Sequence, residues 1–226
     1  MNTQHPDDRP DGPAVPQSGA PAFLWVLVGA MAALEALFAM AEAGVIGSSN
    51  LRWTAFSLGA FWQPLLSGTV MPIYPGQPVA MFLTYAFLHG GLMHLAFNGV
   101  ILLSLGKAVA AKIGTVRTLF LLALASVAGG AGFGMLSTGT APMVGASGAV
   151  FGLIGLWQCW DYTLRRWSGL PVRPVLGAIA GLAVANVVLF VFLSGGLAWE
   201  AHLGGWLAGW VSGHGYARLR QGTPAT

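Results

Sequence analysis

Ser147 stands in the run GASGAVFG, residues 145 to 152, between two glycines and at the head of an apolar stretch. A serine hydroxyl is a weak nucleophile until a base takes its proton, and His202 in AHLGGWLAG, 201 to 209, is the base on offer. No acid is well placed to orient that histidine: Glu200 is about 200° away around a helix, and Asp161 lies at the far end of the Ser147 segment. A Ser147/His202 dyad for acyl transfer is the arrangement left. Its oxyanion needs donors aimed in advance, and the Ser147 backbone N–H at a helix start, with His94 and Asn98 from HGGLMHLAFN, 89 to 98, would supply them. His94 and Asn98 are four apart and share a helix face, whereas His89 faces elsewhere and reads as interfacial. Phe151, one turn after Ser147, is the aromatic available to stack on the imidazole.

Each of these residues has a plainer use. Gly145, Gly148, Gly152 and Gly155 on one segment, with Gly205 and Gly209 on another, also make small-residue faces for close helix packing. Ser147, His94, Asn98 and His202, taken singly, fit interhelical hydrogen bonds equally well. Only their agreement in depth and side favours chemistry. A metal site is weaker, because His89 and His94 do not share a face and no HExxH is present. The α/β-hydrolase elbow GxSxG is excluded by Ala149, and the lone Cys159 rules out an intrachain disulfide.

Such residues need helices within a bilayer to hold them. The chain has 226 residues, 55% hydrophobic and 8% charged with 33 glycines, which points to one membrane domain rather than a polar-surfaced globule. Residues 1–21, rich in polar residues and proline, read as a disordered tail without the features of a cleaved signal. Apolar segments follow at 22–46, 86–106, 118–136, from Ser147, at 174–193 and at 201–217, and residues 218–226 form a short tail. Glu35 and Glu42 interrupt the first segment on similar faces, and ion coupling through them has little support without partners in other spans. The connection 47 to 80 carries Arg52 and the aromatics Trp53, Phe56, Phe61 and Trp62, which favour an interface.

The fourth segment is short. From Ser147 its apolar run ends at Trp160, and that length is roughly 21 Å against a hydrocarbon thickness of ~30 Å. Ser147 therefore starts below one surface, and the preceding STGTAPMVGA is irregular backbone at membrane depth, tolerated only where protein or a watery cavity surrounds it. With six spans, Arg9, Lys107, Lys112, Arg117, Arg165, Arg166, Arg173, Arg218 and Arg220 fall on one side, leaving Arg52 opposite. The positive-inside rule then makes both termini cytoplasmic. Ser147 and His202 share the level near the non-cytoplasmic face.

HGGLMHLAFN, GASGAVFG and AHLGGWLAG together, in this order and at these separations, resemble the rhomboid family of intramembrane serine proteases over roughly residues 22 to 217. The resemblance implies an all-α polytopic membrane protein: a six-transmembrane-helix bundle whose short fourth helix starts inside the membrane. It implies Ser147 as nucleophile, His202 as base, and His94 and Asn98 as oxyanion helpers. Gly145 and Gly148 would shape the site, and Gly205 and Gly209 would let the sixth helix approach the fourth. The 47–80 connection would match the family's first extracellular loop. The fifth helix, with the loop before His202, would resemble the lateral gate and cap through which substrate arrives. Arg52-Trp53 reverses the Trp-Arg pair of many members, Tyr85 replaces a histidine, and Phe151 replaces a frequent tyrosine.

The expected activity is cleavage of transmembrane or membrane-proximal segments of other proteins through an acyl-enzyme, with neither metal nor cofactor. The partners are then membrane proteins and the lipid bilayer, with no nucleic acid, and the compact layout and charge bias point to a bacterial plasma membrane. Two rivals stand beside it. An inactive rhomboid-like binder of membrane helices would not need Ser147 and His202 together, and a transporter would show a second interrupted span as the counterpart of the first.

Overall fold

A computed structural model describes residues 19–221, with side chains as far as Gly215. Residues 1–18 of the expected 1–21 tail and the residues after Gln221 lie outside the described part. The helices in chain order are α1 (Ala22–Glu42), α2 (Leu51–Gly59), α3 (Gln63–Leu66), α4 (Gln77–Thr84), α5 (Leu92–Ile113), α6 (Thr115–Leu136), α7 (Ser147–Trp167), α8 (Arg173–Phe192) and α9 (Trp199–Gln221). A 3₁₀ turn, Tyr85–Phe87, joins α4 to the approach of α5. Among the described residues there is no β-strand, only an isolated antiparallel bridge between Phe61 and Met143.

Four of these helices, α1, α5, α6 and α8, are long and apolar enough to cross a membrane. The remaining two long helices, α7 and α9, carry the glycines, Ser147 and His202. Helix α7 starts at Ser147, where the broken sequence before it predicts, but it does not stop with the apolar run at Trp160. It continues to Trp167, 21 residues or about 31 Å. Its last turns are polar and self-supporting: Arg165 Nε donates to Asp161 Oδ1 at 2.9 Å, one turn away. Helix α9 likewise continues beyond 217 to Gln221.

Glycine sets how the inner helices stack. A Cβ on Gly205 would lie against the Gly148 carbonyl, one on Gly209 against the Gly152 carbonyl, and one on Gly213 against Cys159. These pairs advance together along both helices, so α7 and α9 run parallel with their N-termini at the same end. Against α6 the order reverses. Gly132 meets the Glu200 carbonyl, Gly129 meets Ala201 and Gly148, and Ala125 meets Gly152, so α6 is antiparallel to both. Without side chains between them, backbones approach within contact distance and dispersion replaces the hydrophobic effect that lipid removes.

On the other side of α7, Leu24 and Met31 of α1, Leu95, Leu102 and Val109 of α5, Leu121 of α6, and Leu153 and Leu156 of α7 form the main apolar cluster. Helix α8 differs from all of these. Only Val175 is buried in it, and its Val184, Val187, Val188, Val191 and Phe192 are exposed, as a helix facing lipid requires.

The first segment's two glutamates acquire the partner that the sequence left unassigned. Arg52 in α2 places Nη1 at 2.8 Å and Nη2 at 3.0 Å from Glu35, and Nε at 2.6 Å and Nη2 at 3.1 Å from Glu42. Its Nη1 also donates to the His89 carbonyl at 2.8 Å. All five guanidinium donors are thereby used, and Glu42 and then Glu35 hold Arg52 charged well beyond its usual range. The connection 47–80 is thus tied to α1 and to the approach of α5.

Candidate active site

The segment ahead of Ser147 is non-helical from Ser137 to Ala146, and its backbone groups need partners if it is to sit in a bundle. Two neighbours supply them. Phe61 and Met143 exchange both backbone bonds at 2.9 Å, and the Gly145 N–H donates to the Tyr85 carbonyl at 3.0 Å. Tyr85 is itself anchored, its hydroxyl donating to the Ser126 carbonyl of α6 at 2.8 Å. Gly145 then turns the chain at φ +117°, a conformation closed to most side chains. A Cβ there would also stand 2.5 Å from His94 Cε1 and 3.5 Å from Asn98 Nδ2. Glycine is what lets the chain pass beside His94 and Asn98 before helix α7 begins.

Ser147 is the first residue of α7, whose opening N–H groups have no intrahelical acceptor. They point toward the same end as His94 and Asn98. Asn98 is buried, and its Nδ2 has no hydrogen-bond partner among the described residues, so an unspent donor faces the Gly145 turn. His94 lies in the first turn of α5, and its ring meets that of His89 edge-on at 5.1 Å between centroids.

His89 departs from the sequence reading in one respect. It is not on the helix with His94, because Gly91, at φ 142°, breaks the chain before α5 starts at Leu92. Its ring is buried within the bundle, 1% exposed. Packing against His94, and the Arg52 bond to its carbonyl, hold it inside.

His202 lies in the first turns of α9, buried, with its ring stacked on Phe151 at 4.0 Å between centroids and 9° between planes. Phe151 is one turn after Ser147, so the stack sets the imidazole beside the start of α7. The contact joining the two residues runs through Phe151, not through a direct hydrogen bond between the Ser147 hydroxyl and the ring. The Gly148–Gly205 and Gly152–Gly209 approaches lie immediately below and fix the spacing of the two helices.

One polar partner of His202 escaped the sequence reading. Its Nδ1 is 2.6 Å from Oδ1 of Asn186, on α8. The signal was present: Asn186 is the sole strongly polar side chain in the 174–193 run, and a polar group within a span deserves a functional hypothesis by default. Asn186 and His202 also border an apolar cavity of about 510 Å³ between α8 and α9, walled by Ile179, Val187, Phe190 and Trp206 and reaching Phe151. The arrangement offers a hydroxyl at a helix start, an imidazole beside it, unspent donors across from it and an apolar approach.

Comparison with known proteins agrees with this architecture. The model of the Rhomboid domain matches residues 76–219. YdcA of Bacillus subtilis, assigned by name to the rhomboid proteases, is 26% identical over 171 residues, 74% of this chain and 83% of its own. RHOMBOID-like protein 4 of Arabidopsis thaliana is 31% identical over 144 residues, and the rhomboid protease GluP of Bacillus subtilis is 33% identical over 150. These two matches span 64% and 66% of this chain but 36% and 26% of the relatives' lengths. Relatives named as proteases, an all-helical fold and four apolar spanning helices describe an integral membrane protein of protease type, and the chain belongs to the rhomboid family.

Proposed function

We propose that the chain is an intramembrane serine endopeptidase in which Ser147 is the nucleophile and His202 its base. The observation that carries this reading is the stack of His202 on Phe151 one turn from Ser147, at the common N-terminal end of two helices whose glycines touch backbone to backbone. His202 takes the hydroxyl proton as Ser147 attacks the scissile carbonyl, then gives it to the leaving amine. The Ser147 N–H, Asn98 and His94 receive the oxyanion. Water entering from the non-cytoplasmic face hydrolyses the acyl-enzyme.

In this reading residues 22–217 form one six-span peptidase domain, with α7 and α9 as the fourth and sixth spans and short tails on either side. The cation bias places both termini in the cytoplasm, and a bacterial plasma membrane is the expected home. The substrate is a membrane protein whose transmembrane or membrane-proximal segment unwinds locally, so small or helix-weakening residues near the cut are preferred. The apolar cavity between α8 and α9 suits an arriving apolar segment.

The test is reconstitution of wild type and Ser147→Ala in lipid with a candidate transmembrane substrate. Cleavage by wild type and none by Ser147→Ala is expected. Cleavage that survives Ser147→Ala removes the catalytic assignment, and binding without cleavage by wild type establishes the inactive helix binder instead.

A further inference from the structure

Asn186 makes two hydrogen bonds, and together they determine which way its amide faces. Its Nδ2 lies 2.9 Å from the Leu182 carbonyl, one turn back on α8. A carbonyl only accepts, so the amide nitrogen must face Leu182 and Oδ1 must face His202. Oδ1 only accepts as well. The 2.6 Å contact to His202 Nδ1 therefore requires the proton on Nδ1, and a neutral imidazole with Nδ1–H carries its lone pair on Nε2.

We infer that Asn186 is a positioning residue for His202: it selects the tautomer whose Nε2 accepts the Ser147 proton and pins the ring against rotation. This rests on the dyad reading above. The two restraints on the imidazole are complementary, because Phe151 covers its face and Asn186 holds its edge. The site of the restraint is informative too. Among the described residues, Asn186–His202 is the side-chain hydrogen bond that ties α8 to another helix, and α8 is otherwise exposed and apolar. A leucine or valine would suit a lipid-facing helix equally well, whereas an amide in a span is costly unless it is bonded. The polar residue sits where it reaches the ring and borders the apolar cavity.

The experiment uses the full chain, labelled with ¹⁵N-histidine, in lipid nanodiscs, with His202→Gln identifying the His202 signals. In wild type the ¹⁵N shifts are expected to show Nδ1 protonated and Nε2 bare. Asn186→Leu is expected to move the signal toward the other tautomer and to lower the maximal labelling rate by a fluorophosphonate about 10- to 100-fold. The half-saturating probe concentration should stay within about twofold, since the ring acts on the reaction and not on probe binding. Asn186→Asp, which keeps an acceptor, should retain the Nδ1–H signature and label faster than Asn186→Leu. A wild-type His202 signal with Nε2 protonated overturns the inference outright, whatever the Asn186 variants do. So does an Asn186→Leu protein that labels at the wild-type rate. Labelling that persists in Ser147→Ala defeats the dyad reading instead, and the ¹⁵N spectrum still reports the Asn186–His202 bond independently.

Discussion

Gly205→Ala tests whether backbone contact between α7 and α9 sets the catalytic distance. A Cβ at Gly205 would stand 2.8 Å from the Gly148 carbonyl carbon and 3.1 Å from its Cα, with the carbonyl oxygen nearer still, while ordinary contact begins at 3.4 Å. Every obstructing atom is backbone, so no side chain can swing aside. The helices must part by roughly 1 Å, and overpacking of this kind costs about 1–3 kcal/mol of stability. Gly148 adjoins Ser147 and Gly205 is one turn from His202, so the gap opens at the reacting pair. A displacement of that size lowers rate about 100-fold, equivalent to ~2.7 kcal/mol of barrier. The assay is fluorophosphonate labelling in lipid, with thermal unfolding measured on the same sample. Gly181→Ala on α8, where a Cβ meets nothing within 4 Å, should label within twofold of wild type. A folded Gly205→Ala that labels at the wild-type rate would refute the reasoning, because the backbone contact would then be dispensable to the geometry.

Other perturbations address the remaining parts. Asn98→Ala removes a buried, unspent donor and should lower kcat by about 10²–10³ with little change in KM, as losing one oxyanion donor does; steady-state cleavage kinetics check this. Phe151→Leu loses the stack on His202, worth about 0.5–1.5 kcal/mol, so labelling should slow several-fold, with Phe151→Tyr slowing less. Arg52→Ala leaves Glu35, 4% exposed, without its cation, and breaking a buried pair costs about 3–5 kcal/mol. The exposed Glu42 bond adds little to that. Thermal unfolding should therefore show a clear loss in Arg52→Ala and only a small one in Glu42→Gln.

What the sequence makes legible here is what local spacing controls. The start of α7 at Ser147 follows from a proline and glycine break ahead of an apolar run, and the shared face of His94 and Asn98 follows from a separation of four on one helix. The glycine faces are visible for the same reason, as repeats along a helix. Partners across helices are not visible in this way. Arg52 bonds residues 10 and 17 positions before it and a carbonyl 37 positions after it, and no periodicity encodes those distances. His89 reads as part of the same helix as His94 because the periodicity carries through Gly90 and Gly91; the break at Gly91 starts the helix after it. The 174–193 run looked uniform because its hydropathy outweighed one asparagine.

That asparagine changes how the site is held together. Helix α9 is set on one side by α7, through glycine-to-carbonyl contacts that leave no adjustable side chain. On the other side it meets α8, which is nearly all exposed and reaches His202 through a single amide. The two sides differ in stiffness, and the proposed chemistry divides the same way. Distance between nucleophile and base depends on the stiff side, where a methyl group cannot be admitted. Protonation of the ring, as inferred, depends on the soft side, where one hydrogen bond sets the tautomer. Substitutions at Gly205 should therefore move stability and rate together, whereas substitutions at Asn186 should move the rate and the tautomer with little change in unfolding temperature.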